Sequence, residues 1–351
     1  MRLLITIISI VIPILTFAQS TIRLAFTGDI MMGTAFPDSS YLPPNNGANL
    51  FEEVSHIIKN VDCAFGNLEG VLLDKDILSP KYSTPKDSSE LKNLYAFRTP
   101  VCYVQNLVNA GFDAISIANN HANDFGIEGK LSTMNALKEA RIHYAGQKGY
   151  CDKITFTIGN TKYGFCAFGH SNNTPNINNL KEAISVISSL KEQCDVIVVS
   201  FHGGGEGAKY SHVPDTTEIY LEEKRGNVKE FAHTCIDAGA DIVYGHGPHV
   251  PRAIELYKGH LIAYSLGNFC TPYRVYLLGK AGHAPILEVN INKESGKFIS
   301  GKIHSFIQER GIGPRIDKNN IVAKNIKKLT LSDFPDTELT ISDNGVIKKK
   351  Q

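Results

Sequence analysis

Polar residues follow each of five short apolar segments, and this recurring pattern constrains the fold more than any other feature of the chain. The clearest example is at residues 112–126, where a mostly apolar run ends in Asn119, Asn120 and His121. Short apolar runs bounded by glycine and asparagine are typical of buried strands. Amide and imidazole groups beside a core strand are costly unless they are paired or bind something. Taken alone, the stretch is equally compatible with a turn that caps a helix beginning near Gly126.

Predicted strands and helices alternate through the first two thirds of the chain. A strand over residues 21–27 precedes a helical pattern near 50–58, and a strand over 196–200 precedes a helix predicted over 217–238. Such alternation favours a mostly parallel sheet covered on both faces. The last third is rich in short strands separated by glycine turns, which indicates antiparallel pairing. We therefore predict an α/β fold of two packed mixed sheets with helices outside.

The two ends of the chain differ from its middle. A charged start is followed by a mostly apolar run over residues 3–17 and by Ala18, the pattern of a cleavable export signal. The run is too short to span a bilayer comfortably, so we predict a signal peptide over 1–18 and export to the periplasm or the extracellular side. An uncleaved anchor is the alternative. We further expect one main domain over 21–310 and a loose, polar extension over 311–351.

Composition excludes several functional classes. The formal net charge of +1 creates no global field that would attract nucleic acid. The seven cysteines form no C-x-x-C pair and are odd in number, so we expect few or no disulfides and no thiolate zinc site. The glycine run at residues 203–205 lacks the Lys-Ser/Thr of a phosphate-binding loop, and there is no G-x-S-x-G of a serine hydrolase.

The residues after the five strands are of the kinds that bind a divalent cation, namely carboxylate, amide oxygen and imidazole. They are Asp29; Asn67 and Glu69; Asn120 and His121; His202; and His246 and His249. In open α/β sheets the carboxyl ends of the strands meet at one edge, where ligands bind. Turn chemistry alone does not explain the same pattern at five strand ends, so we predict a metal site there.

Six motifs in this order resemble the signature of CapA-type capsule and poly-γ-glutamate biosynthesis proteins. They are Gly28-Asp29-Ile30-Met31; Asn67-Leu68-Glu69; Ala118-Asn119-Asn120-His121 with Asp124-Phe125-Gly126; His202-Gly203 with Glu206; Gly239-Ala240-Asp241 with Gly245-His246-Gly247-Pro248-His249; and Tyr264-Ser265-Leu266-Gly267-Asn268-Phe269. The resemblance extends from about Arg23 to about Ile307. That family resembles the calcineurin-like metallophosphoesterases, which implies a four-layer sandwich with a two-metal site at the strand ends.

Several positions depart from the phosphoesterase pattern. Met31 stands where those enzymes carry a histidine, and Asn67 stands where they carry a bridging aspartate. CapA proteins often carry a tryptophan after the residue equivalent to His202, whereas this chain has Gly203 and no tryptophan at all. With fewer ligands to hold two ions, one divalent ion is favoured over two.

The resemblance implies roles for individual residues, each with a simpler structural alternative. The implied metal ligands are Asp29, Glu69, Asn120, His202 and His246; the implied catalytic residues are His121, as general acid, and Glu206; the implied substrate contacts are Asn67, His249 and Arg252. Alternatively, Asp29 is a turn residue, Glu69 is a charge at a helix start, Glu206 is a solvated loop charge and Arg252 belongs to a surface salt bridge.

The predicted function is therefore a metal-dependent hydrolase or transferase acting on an amide or phosphoester bond. Its expected partners are an anionic envelope polymer such as poly-γ-glutamate and membrane-bound components of a capsule synthase. A non-catalytic envelope protein that binds polymer or synthase on the same fold is the main alternative. An ordinary phosphodiesterase or nucleotidase is a weaker one, because the first two motifs depart from that pattern.

Overall fold

The structure, a computed structural model, describes residues 20–75, 90 and 93–350 of the chain. The predicted signal peptide over 1–18 and its cleavage site lie outside the described residues. Among the helices that are described, none combines the length and apolar character that a membrane span requires. Each of the seven cysteines is free in the structure.

Strands dominate the described residues. In chain order they are β1 (Thr21–Ile30), β2 (Cys63–Leu68), β3 (Val71–Leu72), β4 (Arg98–Thr99), β5 (Ala114–Ser116), β6 (His143–Ala145), β7 (Lys153–Ile158), β8 (Thr161–Gly169), β9 (Val196–His202), β10 (Glu218–Tyr220), β11 (Glu223–Gly226), β12 (Ile242–His246), β13 (Ile254–Tyr257), β14 (His260–Ala263), β15 (Asn268–Cys270), β16 (Ile286–Asn292), β17 (Phe298–His304), β18 (Phe306–Glu309), β19 (Ile312–Ile316), β20 (Leu339–Ile341) and β21 (Val346–Lys349). The α-helices are α1 (Ser55–Ile58), α2 (Val104–Ala110), α3 (Gly126–Glu139), α4 (Leu180–Lys191), α5 (Val228–Asp237) and α6 (Ile321–Asp333).

Two large mixed sheets form the centre of the molecule. The first is nine-stranded, in the order β20-β21-β17-β16-β1-β2-β5-β6, with β15 beside the end of β1. The second is six-stranded, in the order β13-β14-β12-β9-β8-β7. Strands β1, β2, β5 and β6 run parallel in the first sheet, as do β8, β9, β12 and β14 in the second, while the outer pairs are antiparallel. The predicted pair of mixed sheets is confirmed.

The sheets pack face to face through an aromatic core. Phe65 of the first sheet lies 5.3 Å, between ring centroids, from both Phe26 of its own sheet and Phe165 of the second. Because successive strand residues point to opposite faces, Phe26 enters this core while Ala25 points outward, where helices α1 to α3 cover the first sheet. Helices α4 and α5 cover the outer face of the second sheet. The result is the four-layer arrangement that was predicted.

The prediction of a helix over residues 217–238 is wrong for the first half of that range. The hairpin of β10 and β11 occupies that half, and the helix α5 begins only at Val228. Leu221 and Glu222 form the two-residue turn of the hairpin with positive φ angles of 47° and 65°, a conformation that a helix does not allow. The side chain of Asn227 caps α5 by accepting a hydrogen bond from the backbone of Glu230.

The loose extension predicted over 311–351 is also wrong. Helix α6 buries Val322 and Ile326 in the core between the sheets, and β21 pairs with both β17 and β20 in the nine-stranded sheet. The segment is polar overall because α6 buries only one face and keeps charged residues on the other.

Helix α6 provides a test of this packing. We expect Ile326→Val, a change at a fully packed position, to lower the free energy of unfolding by about 1 kcal/mol, since it removes one buried methylene. The matched change Ile321→Val, at a position of the same helix that is 45% exposed, is expected to have almost no effect. Urea unfolding of the two variants measures the difference. Equal stabilities would mean that α6 does not contribute to the core.

Parallel pairing brings the polar strand ends to one edge of the molecule. Asp29 at the end of β1 is in register with both Asn67 and Asn268. In the second sheet, His202 and His246 are in register at the ends of β9 and β12. The two sheets therefore place their carboxyl ends on the same side, where a site can form between them.

Candidate functional site

A buried cluster of carboxylate and imidazole groups lies where the carboxyl ends of the two sheets meet. Its centre is formed by Glu69, His202 and His249, which each offer a ligand atom within 4.8 Å of the others. Glu69 follows β2 of the first sheet, whereas His202 ends β9 and His249 follows β12 of the second. Neither sheet alone supplies the cluster, so its geometry depends on how the sheets pack.

His249 is held in a defined orientation by groups from the first sheet. Its Nδ1 lies 3.1 Å from Asp29 Oδ2 and 3.1 Å from Asn268 Oδ1, while its Nε2 lies 3.6 Å from Glu69 Oε1. Burial alone would lower the pKa of His249, but the carboxylates of Glu69 and Asp29 raise it to about 10. One ring nitrogen is thus oriented by oxygen atoms and the other faces Glu69, an arrangement common for histidines that bind metals.

Asp29 lies fully buried between two imidazoles. Its Oδ1 accepts a 2.8 Å hydrogen bond from Asn67 Nδ2 and lies 3.2 Å from His246 Nδ1. Burial favours the neutral acid, yet hydrogen bonding to His246 and His249 outweighs it and holds the pKa of Asp29 well below its usual range. Asp29 is therefore an ionised group that positions His249 and lies beside His246.

The central cluster fits a divalent cation. Glu69 Oε1 and both ring nitrogens of His202 are buried and make no hydrogen bond within the described part of the chain, a costly arrangement unless something binds them. Burial lowers the pKa of His202 well below its usual range and raises that of Glu69 to about 7. A neutral imidazole is the form that coordinates a metal, so an ion bound here would displace the proton that Glu69 and Asp29 keep on His249. Mixed nitrogen and oxygen donors suit a borderline or hard divalent ion.

His121 lies beside the cluster and is oriented by a carboxylate. Its Nδ1 lies 2.8 Å from Asp124 Oδ2, and its Nε2 lies 4.0 Å from Glu69 Oε1. Asp124 is itself held in place because it accepts a 2.9 Å hydrogen bond from the backbone of Phe97. The ring nitrogen of His121 that is not bonded to Asp124 is therefore available to exchange a proton next to the cluster.

The placement of Asn67 contradicts its predicted role as a substrate contact. The side chain is fully buried; its Nδ2 donates to Asp29 and its Oδ1 accepts a 3.2 Å hydrogen bond from Asn119 Nδ2. Both ends of the amide are used within the protein. Asn67 links Asp29 to the loop that carries His121.

The placement of Arg252 contradicts its predicted role as well. Its guanidinium is fully buried and makes hydrogen bonds of 2.8 and 2.7 Å to the two carboxylate oxygens of Glu218. A buried guanidinium requires such a partner. Glu218 belongs to the hairpin that the sequence did not predict, so this pairing was not visible beforehand.

A cavity of about 640 Å³ opens from the cluster and is lined by both predicted catalytic residues, His121 and Glu206. Glu69, Asn120, His121, Glu206 and His249 line it, together with Phe97, Arg225 and Arg274 among others. Glu206 Oε1 accepts a 2.8 Å hydrogen bond from Arg225, whose Nε donates to Glu223 Oε2 at 2.9 Å.

The structure groups the predicted metal ligands differently from the prediction. Glu69 and His202 belong to its centre, Asp29 and His246 lie directly beside it, and Asn120 lines the cavity. His249, predicted as a substrate contact, belongs to the centre instead.

Sequence reasoning missed three residues that shape the site. Asp124 and Asn268 stand inside the quoted motifs, and the i,i+3 spacing of His121 and Asp124 would have been the signal for the first of them. Arg225 stands in no motif, and nothing in the sequence singles it out.

Comparisons with known proteins support the family resemblance that the six motifs indicated. Residues 23–273 match the family model described as Bacterial capsule synthesis protein PGA_cap. The PGA biosynthesis protein CapA of Bacillus subtilis (strain 168) is 29% identical over 271 residues, which cover 72% of this chain and 64% of that protein, slightly less than two thirds of its length. The Capsule biosynthesis protein CapA of Bacillus anthracis is 28% identical over an alignment of 362 positions, covering 95% of this chain and 80% of that protein.

Among solved structures, a phosphatase of Mycoplasma pneumoniae is similar to this chain with 16% identity and a TM-score of 0.49, covering 83% of this chain and 95% of that one.

The family match spans most of the chain and includes the residues of the cluster. This chain therefore belongs to the PGA_cap family of bacterial capsule synthesis proteins.

Proposed function

We propose that this chain is an exported, metal-dependent enzyme that cleaves an amide bond of an anionic envelope polymer of the poly-γ-glutamate type, passing the acyl group either to water or to another nucleophile. The observation that carries the proposal is the cluster of Glu69, His202 and His249, whose ligand atoms lie within 4.8 Å of one another and two members of which, Glu69 and His249, line a cavity. The family and the names of the two Bacillus relatives support the choice of polymer.

In this proposal Glu69, His202 and His249 hold the divalent ion, and Asp29 and Asn268 orient His249. A bound ion would supply Lewis-acid polarisation of the scissile carbonyl and activation of water. A single ion is favoured because Met31 is apolar and fully buried and the amide of Asn67 is already bonded at both ends.

Proton transfer is assigned to His121. Its Nδ1 pairs with Asp124, so its Nε2 can give a proton to the leaving nitrogen at the cavity. Glu206 lines the same cavity, and with one of its oxygens paired with Arg225 it is placed to contact or deprotonate a group of the substrate.

The alternative is an envelope protein that binds the polymer, or a membrane-bound synthase, without turnover. Met31 and Asn67 favour it, since both replace ligands that a two-metal enzyme would need. In that case the cluster would only fix the fold of the site.

Metal removal separates the two proposals. We expect that the purified full chain contains a divalent metal, shortens poly-γ-glutamate, and loses this activity with EDTA. Chelation is also expected to lower the melting temperature, because a ligand bound only to the folded state stabilises it. Elemental analysis, size-exclusion chromatography of the polymer and thermal unfolding measure the three effects. Polymer binding without turnover, unchanged by EDTA, would favour the non-catalytic alternative.

A further inference from the structure

A second cleft, also of about 640 Å³, adjoins the cavity of the metal cluster. The two share Asn120, Ser171 and Glu223, so they adjoin at these residues. The remaining lining residues are Asn123, His170, Asn172, Asn173, Asn176, Asn178, Asn179 and Lys224. We call this region the asparagine cleft; the proposed chemistry uses none of the residues that belong to it alone.

Part of the asparagine lining is structural. Asn176 donates to the backbone oxygen of His170, Asn178 donates to that of Lys224, and Asn179 caps helix α4. These bonds hold the loop before α4 against the hairpin of β10 and β11. They form the walls of the cleft and are used within the protein.

Other polar side chains of the cleft have groups that are not hydrogen-bonded to the residues that the structure describes. Asn123 and Asn172 make no side-chain hydrogen bond within residues 20–75, 90 and 93–350. The Nδ2 of Asn173 is buried and has no hydrogen-bond partner among the same residues. Since buried donors are normally satisfied, Asn173 points to a ligand that brings an acceptor.

His170, in contrast to Asn173, offers a hydrogen-bond acceptor. Its side chain is only 2% exposed, and its Nδ1 lies 3.3 Å from the backbone oxygen of His202. A carbonyl oxygen can only accept, so Nδ1 carries the proton and the lone pair of the neutral ring is on Nε2. Nε2 makes no hydrogen bond within the described residues; Glu223 Oε2 lies 3.4 Å away. A ligand with an N–H group would satisfy it.

Together these groups select for a particular chemistry. An amide offers both an N–H, for His170, and a C=O, for the asparagine side chains. A phosphate or sulfate offers acceptors only and would leave the His170 lone pair without a donor. A sugar ring has apolar faces that pack on aliphatic or aromatic side chains, whereas histidine is the only aromatic ring among the lining residues and no aliphatic side chain is among them.

We propose that the asparagine cleft binds the amide backbone of the polymer on one side of the bond that lies at the metal cluster. This inference rests on the proposed function, because it assumes that a polyamide enters the adjoining cavity. The shared boundary at Asn120, Ser171 and Glu223 lets one extended chain occupy both regions.

The test compares a long and a short probe by calorimetry on the metal-loaded full chain. A γ-linked glutamate decamer is long enough to enter both regions, whereas a γ-linked dimer is not. We expect the double variant Asn123→Leu and Asn172→Leu, which conserves size and charge, to bind the decamer about tenfold more weakly or worse, and the dimer within twofold of the parent. Asn60→Leu is the matched control, at an exposed position before β2 on the opposite edge of the sheet.

The outcomes separate this inference from the function on which it rests. If the parent binds the decamer and the double variant binds it equally well, only the assignment of the cleft is overturned. If the parent binds neither probe, the polymer itself is wrong and the inference falls with it. Binding of an N-acetylglucosamine hexamer that is tighter than that of the decamer, and is lost in the double variant, would assign the cleft to a glycan instead.

Discussion

Replacing His202 by alanine is expected to empty the metal site and to reduce turnover of poly-γ-glutamate by about a thousandfold or more. His202 is fully buried, its two ring nitrogens have no hydrogen-bond partner in the described residues, and it faces Glu69 and His249. Removing it leaves the ion with too few ligands. Elemental analysis of the purified variant and a polymer-shortening assay measure both effects.

The control for this experiment is His56→Ala, because His56 is exposed and precedes β2, away from the carboxyl edge. It is expected to retain metal content and activity. A cooperative melting curve of His202→Ala in EDTA shows that the variant folds, at a temperature somewhat below that of the parent in EDTA because the buried imidazole leaves a cavity. Full activity of His202→Ala, together with a parent that contains no metal, would refute the metal-dependent mechanism.

Replacing His121 by asparagine is expected to leave metal content intact and to lower turnover by about a hundredfold or more, the scale of a lost general acid. The reason is geometric: His121 lies beside the cluster, its Nδ1 is bonded to Asp124, and it does not belong to the group of Glu69, His202 and His249. The rate should therefore fall while binding of the metal and of the polymer is retained.

The companion variant Asp124→Asn tests the orientation of His121. It should also lower turnover with metal retained, since the amide cannot stabilise a protonated imidazole as the carboxylate does. His56→Asn is the matched control. If His121→Asn empties the site, its role has been confused with that of a ligand; if neither variant affects activity, the chain is better regarded as a binding protein.

The residues that follow each strand could be predicted from the sequence, because an apolar run and the polar residues after it form a local pattern. Asp29, Glu69, His121 and His202 were all found in this way. Within one sheet, placing them together required only the assumption that parallel strands share a carboxyl edge, and the pairing of Asp29 with Asn67 in the first sheet agrees with it. Bringing His202 of the second sheet next to Glu69 depended in addition on how the two sheets pack.

The hairpin of β10 and β11 was missed because its turn depends on two non-glycine residues, Leu221 and Glu222, with positive φ angles. Nothing in their residue types predicts this conformation, which is uncommon outside glycine and asparagine. The consequences extend to Arg252, which pairs with Glu218 of this hairpin instead of contacting the cavity.

By itself the sequence determined the layered α/β architecture and the residue types at the strand ends, because burial and turn chemistry act over a few neighbouring residues. Only the tertiary structure decided the role of each group. His249 became a member of the cluster because Asp29 and Asn268, from the other sheet, direct one ring nitrogen away from Glu69 and leave the other facing it. Asn67 does not contact the cavity because its side-chain amide is hydrogen-bonded to Asp29 at one end and to Asn119 at the other. Such choices depend on distances of about 3 Å between residues far apart in the chain, and local sequence patterns carry no information about them.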